Sequence, residues 1–422
     1  MTNTRCLLLS KSRSVGACAI AAAAVVAFLV PSWTSQGPTM LCYRMDLDVY
    51  RIGGRAWLDG VPLYGPLPAT AVGLRLPFTY PPFAAVVFSA LSLIPLGIAG
   101  LLATLCTIAA LVVPVRQYLR PLDWPLGWAL PVALVLEPVR STIQFGQVNV
   151  VLMALVAADC LAPAPRWPRG SLTGLAAAVK LTPLPFALFF LLRRDYRAAA
   201  ATSLTFAGCS ALGLVLAPGD SARFWTSAVF GTTSRIGNPQ YAANQSIVGT
   251  LTRAGLNPAT PVCLCLWLTL SAAVLLVACL GMRRVLEAGH ARLALALNAF
   301  AALLVSPISW SHQWVWAGPA VLALTAAGRE SSVRGARPAA ACGLVLFLAA
   351  PQWWFDGQPH WALWQQAVGD SYVLFAISIL IIAARVRPLK PAAPISSVES
   401  CDERRRREPQ PALSSAGAAV SP

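Results

Sequence analysis

Two aspartates, Asp46 and Asp48, stand two positions apart in the segment MDLDVYRIGGRAWLDGVPLYG. A carboxylate can remove the proton of a hydroxyl group, and a carboxylate held at an apolar boundary is costly unless it is paired or functional. The two could instead form salt bridges with Arg44, Arg51 or Arg55. On a bent backbone they could also bind a divalent cation. They are therefore candidates for acid–base chemistry or, if a metal is required, for metal binding.

A lysine and a histidine also stand in apolar surroundings. Lys180, in AAAVKLTPLPF, is one of three lysines in the chain. A buried ammonium needs an anion, so Lys180 either contacts a phosphate or extends to lipid headgroups. His312 follows SPISW and precedes QWVW. It is either an interfacial belt residue or, beside Trp310, part of a sugar site, because aromatic rings stack on sugar faces.

Neutral amides occur in two further places. Gln147 and Asn149 belong to QFGQVN, and Asn244 and Gln245 belong to YAANQS, with Arg253 a short distance beyond. Such amides could cap helices. They could equally bind the hydroxyls of a carbohydrate, because an amide both donates and accepts hydrogen bonds.

The elements that must position these residues are membrane-spanning helices. Apolar residues make up 57% of the 422-residue chain and charged residues 11%, and the mean hydropathy is +0.64, which excludes an ordinary soluble protein. Stretches of about 20 apolar residues recur between short polar interruptions, and each is long enough to cross a bilayer. The sequence predicts an all-α integral membrane protein.

The net charge of +16 does not predict a nucleic-acid partner. The arginines form short clusters between apolar runs, which is typical of cytoplasmic loops in membrane proteins. The eleven cysteines are scattered without paired spacing and are interpreted as small apolar residues, not as disulfides or metal ligands.

Three regions follow from this pattern. Residues 1–14 are predicted to be a cytoplasmic N-terminus. Residues 15–387 are predicted to be one membrane domain, with a retained first helix at 15–33 and a folded extracytoplasmic loop at 35–80 that holds the aspartates. Residues 388–422 are predicted to be a disordered, basic, cytoplasmic tail.

The apolar runs predict ten to twelve crossings. After a two-helix segment at 82–113 come 124–136, 148–161, 172–192, 198–216, 261–281, 293–305, 314–326, 339–350 and 372–384. The positive clusters do not fit strict alternation between 82 and 169. One segment there is expected to be broken or re-entrant.

Six motifs together carry a resemblance: DLDVYRIGGRAWLDGVPLY, LPFTYPPFAAVVF, QFGQVNVVL, AAAVKLTPL, NQSIVGTLTR and SPISWSHQWVW. In this order they resemble the membrane-embedded mannosyltransferases of the actinobacterial envelope, glycosyltransferase family 87 of the GT-C class. The resemblance implies a GT-C type bundle of roughly ten to twelve helices with a long first extracytoplasmic loop.

The resemblance implies roles for several residues. Asp46 matches the family's catalytic aspartate, and His312 would orient the acceptor or share its proton. Asp48 stands where the family often has histidine, and Gln313 replaces the second histidine of SPxSWxHH, so any role of that imidazole is lost or taken over. The remaining candidates would bind substrate; they are Asp48, Tyr50, Tyr80, Gln147, Asn149, Lys180, Asn244, Gln245, Arg253 and Trp310.

The implied reaction transfers mannose with inversion from polyprenyl-phosphate-mannose to a mannoside hydroxyl of an envelope glycolipid, forming an α-1,2 linkage. Lys180 and Arg253 would stabilise the leaving phosphate without a cofactor or metal. The site would face the extracytoplasmic side of the plasma membrane, in a monomer whose partners are lipid, donor and glycolipid acceptor. The alternatives are the same chemistry with another sugar such as arabinofuranose, and a transporter of lipid-linked sugars.

Overall fold

The computed structural model describes residues 43–229, 237–331, 333–358 and 361–387. The predicted cytoplasmic N-terminus, the predicted first helix at 15–33, the first part of the loop 35–80 and the predicted tail 388–422 lie outside the described residues. Predictions for these parts of the chain stay predictions.

The regular secondary structure of the described ranges is helical, with no strand beyond a single bridge between Asn244 and Trp310. The all-α prediction is confirmed. The first half contains α1 Met45–Leu58, α2 Pro82–Ser92, α3 Leu96–Leu119, α4 Leu126–Val135, α5 Glu137–Phe145, α6 Asn149–Leu161, α7 Ser171–Val179, α8 Ala187–Leu192 and α9 Tyr196–Leu216. The second half contains α10 Pro218–Arg223, α11 Ile247–Arg253, α12 Pro261–Glu287, α13 Ala291–Val305, α14 Ala317–Arg329, α15 Ala336–Ala349, α16 Leu363–Gly369 and α17 Ser371–Ala384.

Three of these helices, α3, α9 and α12, are long and apolar enough to cross a membrane. Two bent pairs, α4 with α5 and α16 with α17, qualify as broken spans, and α2, α6, α13 and α15 are shorter apolar helices. The long helices expose leucines such as Leu101, Leu204 and Leu276 over more than half of their surface. Apolar side chains turned outward are expected where lipid, not water, surrounds a helix. This chain is a multi-pass membrane protein.

Two spans depart from a straight helix. The chain bends by 67° between α4 and α5, at Leu136, inside the region where the positive clusters predicted a broken or re-entrant segment. The single span predicted at 172–192 is wrong, because α7 ends at Val179 and α8 begins only at Ala187. Pro183 and Pro185 stand in the gap, and prolines cannot donate the backbone hydrogen bonds of a continuous helix.

The first loop contains a helix that its mixed composition did not predict. Helix α1 packs against α2, and the closest approach is at Gly54, where a Cβ atom would lie 2.7 Å from the backbone of Phe88. Glycine therefore lets the two backbones touch, as small residues do between membrane helices. This contact fixes the position of α1 and of the aspartates in its first turn.

Candidate active site

A cavity of about 1100 Å³ opens between the start of α1 and the loops that precede α2, α8, α11 and α14. It brings together residues that are distant in sequence. Seven of the predicted site residues line it: Asp46, Tyr80, Gln147, Lys180, Arg253, Trp310 and His312. Asn149 lines a smaller neighbouring cavity of about 260 Å³.

The two aspartates of α1 point to different places. Asp46 lines the cavity, whereas Asp48 is buried outside it and accepts hydrogen bonds from Tyr43 Oη at 3.3 Å and from the Ala71 backbone N–H at 2.8 Å. The Arg51 guanidinium lies 3.8 Å from Asp48 Oδ1. Residues two apart on a helix do not face each other, so the bent backbone needed for a shared cation is not present. The geometry favours the paired alternative for Asp48 over a metal or substrate contact.

Gln147 joins the carboxylate of Asp46 to the ammonium of Lys180. Its Oε1 accepts hydrogen bonds from Tyr50 Oη at 2.6 Å and from Lys180 Nζ at 3.2 Å. Because the carbonyl oxygen faces these donors, the amide NH2 is left for Asp46, to which Gln147 hydrogen-bonds, and for Tyr80 Oη at 3.4 Å. Tyr50, which is fully buried, therefore orients Gln147 and does not line the cavity.

Gly146 explains why Gln147 reaches this position. It ends α5 in the left-handed conformation, with φ of 71°. A Cβ atom there would lie 2.7 Å from the Cβ of Leu47 and 2.8 Å from that of Arg44. Only glycine satisfies both the backbone conformation and the close approach of α1.

The helix break at Lys180 places its ammonium in the cavity wall. Lys180 directly follows α7, and its Nζ donates to Asn149 Oδ1 at 2.8 Å as well as to Gln147. An ammonium has three N–H donors, so one stays available for a bound anion. The Tyr80 ring lies 5.5 Å from Nζ and adds a cation–π contact.

The surroundings of Asp46 suit a base. Burial raises the pKa of its carboxyl to about 6, against the opposing effects of the Gln147 hydrogen bond and the Lys180 charge. A base with a pKa near the working pH is efficient, because it is ionised and still basic enough to take a proton.

His312 is held differently. Burial, together with the nearby Lys180 charge, lowers the pKa of its imidazole well below the usual range, so the ring is neutral at neutral pH. Its Nε2 is buried with no hydrogen-bond partner in the described part of the chain. The His312 backbone carbonyl accepts from Thr142 at 2.7 Å and from Asn149 at 2.8 Å. This geometry favours orienting an acceptor hydroxyl over sharing its proton.

The two amides of the YAANQS segment, Asn244 and Gln245, support the cavity and do not line it. Asn244 and Gln245 are fully buried. The Asn244 side chain binds the Ser309 backbone N–H at 2.9 Å, and Gln245 donates to the Gly369 carbonyl at 2.9 Å. Asn244 thus holds the SPISW loop, and Gln245 binds the end of α16. Their predicted contact with substrate has no support in this geometry.

Arg253 lines the cavity, but its charge is already paired. The guanidinium forms a salt bridge with Asp370 in which both side chains are 3% exposed. It also donates to the carbonyls of Tyr241 at 3.1 Å and Asn244 at 2.9 Å. Lys180 is therefore a better candidate than Arg253 for stabilising a leaving phosphate.

Sequence reasoning missed Glu137, which is 1% exposed at the bend between α4 and α5. Its carboxylate accepts from Ser141 and Ser311 at 2.7 Å each, from Tyr372 at 3.0 Å and from Trp353 at 3.1 Å. Ser311 directly precedes His312, so Glu137 positions the loop of that histidine. A carboxylate directly after an apolar run was the signal that could have identified it.

A half-enclosed cavity among apolar helices, lined by a basic carboxylate, an ammonium and several aromatic rings, defines a membrane-embedded enzyme that handles a polar substrate. The profile of glycosyltransferase family 87 matches residues 78–307. The chain belongs to this family, as its motifs predicted, and it is a glycosyltransferase.

Its curated relatives are mycobacterial. A polyprenol-phosphate-mannose-dependent alpha-(1-2)-phosphatidylinositol mannoside mannosyltransferase of Mycobacterium tuberculosis is 40% identical over 83% of this chain and 86% of its own length. Its namesake in Mycolicibacterium smegmatis is 40% identical over 82% and 84%. An alpha-(1-2)-phosphatidylinositol pentamannoside mannosyltransferase of Mycobacterium tuberculosis is 34% identical over 86% and 87%.

Among solved structures, ArnT from Cupriavidus metallidurans, bound to undecaprenyl phosphate, is similar to 87% of this chain and 76% of its own chain. The sequence identity is 15% and the TM-score 0.37, a distant likeness from which nothing further is drawn.

Proposed function

We propose that this enzyme transfers mannose from polyprenyl-phosphate-mannose to a hydroxyl of a phosphatidylinositol mannoside, forming an α-1,2 linkage with inversion. The names of its relatives support the donor, acceptor class and linkage. They favour mannose over arabinofuranose and an enzyme over a transporter. The observation that carries the chemistry is the Asp46 carboxylate, which lines the cavity and is joined to Lys180 through Gln147.

In the proposed reaction, the acceptor hydroxyl oxygen attacks the anomeric carbon of the donor while the bond from that carbon to the phosphate oxygen breaks. Asp46 takes the hydroxyl proton. The phosphodiester leaves as a phosphate monoester from the opposite face, which gives inversion. His312, through its unpartnered Nε2, orients the acceptor hydroxyl.

Lys180 stabilises the charge that grows on the leaving phosphate. Two of its three N–H donors are bonded to Gln147 and Asn149, which fix the position of the ammonium and leave the third donor for the phosphate. The charge therefore does not have to move during the reaction. The step then needs no metal. The cavity opens to the extracytoplasmic side of the plasma membrane in this proposal, and the enzyme acts as a monomer.

The test is transfer of radiolabelled mannose by the purified protein in the presence of phosphatidylinositol mannoside acceptors. Asp46→Asn keeps the size of the side chain and removes the base. We expect a loss of at least about 100-fold in kcat, within the range for removal of a general base. Asp59→Asn is the matched control, because Asp59 follows the last residue of the same helix at an exposed position, where it forms a salt bridge with Arg55.

Equal transfer rates for the wild type and Asp46→Asn would remove Asp46 from the base role. Absence of transfer by the wild type, with transbilayer movement of the labelled donor instead, would favour a transporter. Repeating the wild-type assay with a chelator tests the metal-free step, which full loss of activity would contradict.

A further inference from the structure

One wall of the large cavity is aromatic, and its residues are distant in sequence from Asp46, Gln147 and Lys180. It consists of Tyr241, Trp310, Trp353 and Trp361, which all line the cavity. The Tyr241 ring lies between two tryptophans, with ring centroids 6.0 Å from Trp310 and 5.9 Å from Trp353. We call these four residues the aromatic wall.

The tryptophans of the wall are held in place by contacts with neighbouring residues. Trp353 Nε1 donates to the buried Glu137, and Trp361 Nε1 donates to the Phe355 carbonyl at 3.2 Å. The Arg253 guanidinium lies 4.9 Å from the Trp361 ring centre. Because these two indole N–H groups are already bonded, it is their ring faces and edges that remain for a ligand.

Polar side chains accompany the wall. Gln240, Asp356 and Gln358 line the same cavity. Amide and carboxylate groups next to flat aromatic rings can bind sugar hydroxyls while the rings cover the C–H faces of the sugar. The smaller cavity differs, since it is lined largely by aliphatic residues such as Leu152, Met153 and Val156. A lipid chain fits that lining, whereas a sugar fits the aromatic wall.

The cavity is also larger than a single sugar requires. At about 1100 Å³ it lies just above the usual volume of small-molecule sites, which is roughly 300–1,000 Å³. We propose that the aromatic wall binds the mannosyl units of the acceptor that precede the reacting one, so that the enzyme recognises an oligosaccharide and not a single sugar. This inference rests on the proposed function and deepens it by assigning the acceptor subsite.

Tyr241 provides the cleanest test. It is 45% exposed, and its two ring contacts are with other members of the wall. Tyr241→Ala removes the central ring, and Tyr241→Phe keeps it. Tyr196→Ala is the matched control, because Tyr196 is 65% exposed at the start of α9 and does not line the cavity.

Two measurements are made with each variant in detergent. The first is binding of methyl α-mannoside and of an α-linked mannotriose, followed by tryptophan fluorescence without donor. The second is KM for acceptors that carry one or several mannosyl units. For Tyr241→Ala we expect about tenfold weaker binding and a similarly higher KM for the longer ligands, and less than about a twofold change for the single-sugar ligands. Tyr196→Ala should match the wild type, and Tyr241→Phe, which keeps the ring, should recover most of the binding that Tyr241→Ala loses.

Equal losses for long and short ligands, or none for either, would overturn the subsite. The donor-free titration separates this result from failure of the proposed function. If the wild type binds mannotriose more tightly than methyl α-mannoside but transfers no mannose, the subsite is supported and the proposed reaction is contradicted. If the wild type transfers mannose and Tyr241→Ala behaves like it, the reaction is supported and the subsite is contradicted.

Discussion

At the scale of residues, Gln147 sets the chemistry of the cavity, because its amide has its oxygen towards Lys180 and its NH2 towards Asp46. The base and the cation are thereby kept close without a direct salt bridge between them in the described structure. A direct pair would hold the carboxylate pKa low and make it a weak base. Burial keeps the pKa of Asp46 raised in spite of the amide and the cation.

This arrangement predicts the pH dependence of transfer. The pKa of Asp46 is raised to about 6, so the base is protonated and inactive below that pH and ionised above it. We expect kcat/KM to rise with pH and level off above about pH 7, falling about tenfold for each unit below the midpoint. Gln147→Leu removes a hydrogen bond that lowers the pKa and should move the midpoint to higher pH. A flat profile between pH 5 and 7 would contradict this role.

The sequence predicted the chemistry of single residues better than their pairing. Asp46, Lys180 and His312 were identifiable because charged or titratable groups are rare and costly in apolar surroundings. The salt bridge of Arg253 could not be identified from the sequence, because its partner Asp370 lies 117 positions away. Which donors a buried group meets depends on tertiary packing, and one sequence does not contain that information.

At the scale of elements, breaks in helices build the site. Lys180 follows the end of α7, and Gln147 and Asn149 stand at the junction of α5 and α6. Lys180 and Gln147 line the large cavity and Asn149 the smaller one. Breaks in membrane helices are tolerated where they line a polar cavity.

The bend between α4 and α5 predicts a strong dependence on Glu137. Glu137→Ala leaves the donors of Ser141, Ser311, Trp353 and Tyr372 without their acceptor. Each unsatisfied buried group costs about 1–3 kcal/mol, so we expect a clear drop in Tm in detergent together with loss of transfer. Glu287→Ala, at an exposed position of α12, should leave Tm unchanged. An unchanged Tm for Glu137→Ala would show that these contacts contribute little.

Helix positions followed from hydropathy where the run was uninterrupted. The predicted 148–161, 198–216 and 293–305 differ from α6, α9 and α13 by two residues at most. The break after Val179 was missed because Leu181 to Leu192 is as apolar as a continuous span, and hydropathy alone does not register how two prolines interrupt the backbone. Helix α1 was missed because its mixed composition gives no long apolar run.

At the scale of the whole molecule, the arginine clusters predict which side faces the cytoplasm. The cluster at 193–197 lies between α8 and α9, whereas the loop that precedes α2 carries Arg75 at the cavity. The positive-inside rule predicts that the cluster at 193–197 is cytoplasmic, and the proposed reaction requires the cavity to lie on the opposite side.

Cysteine labelling tests this orientation. In a background with the native cysteines replaced, Leu74→Cys and Arg197→Cys each introduce one exposed thiol. A membrane-impermeant maleimide added to intact spheroplasts should label Leu74→Cys at once and Arg197→Cys only after permeabilisation. The reverse pattern would place the cavity on the cytoplasmic side and contradict the proposed location of the reaction.

The presence of Asp46 in the same cavity as Lys180 has a consequence for the balance of charge during turnover. As Asp46 accepts a proton it loses its negative charge, while the departing phosphate gains one. The sum of charges in the cavity is thus unchanged from substrates to products, and the negative charge has only moved from the protein to the lipid. At the end of each cycle a proton must return to water and an anionic lipid must return to the bilayer. The cavity must therefore be accessible to both water and lipid before the next cycle can begin.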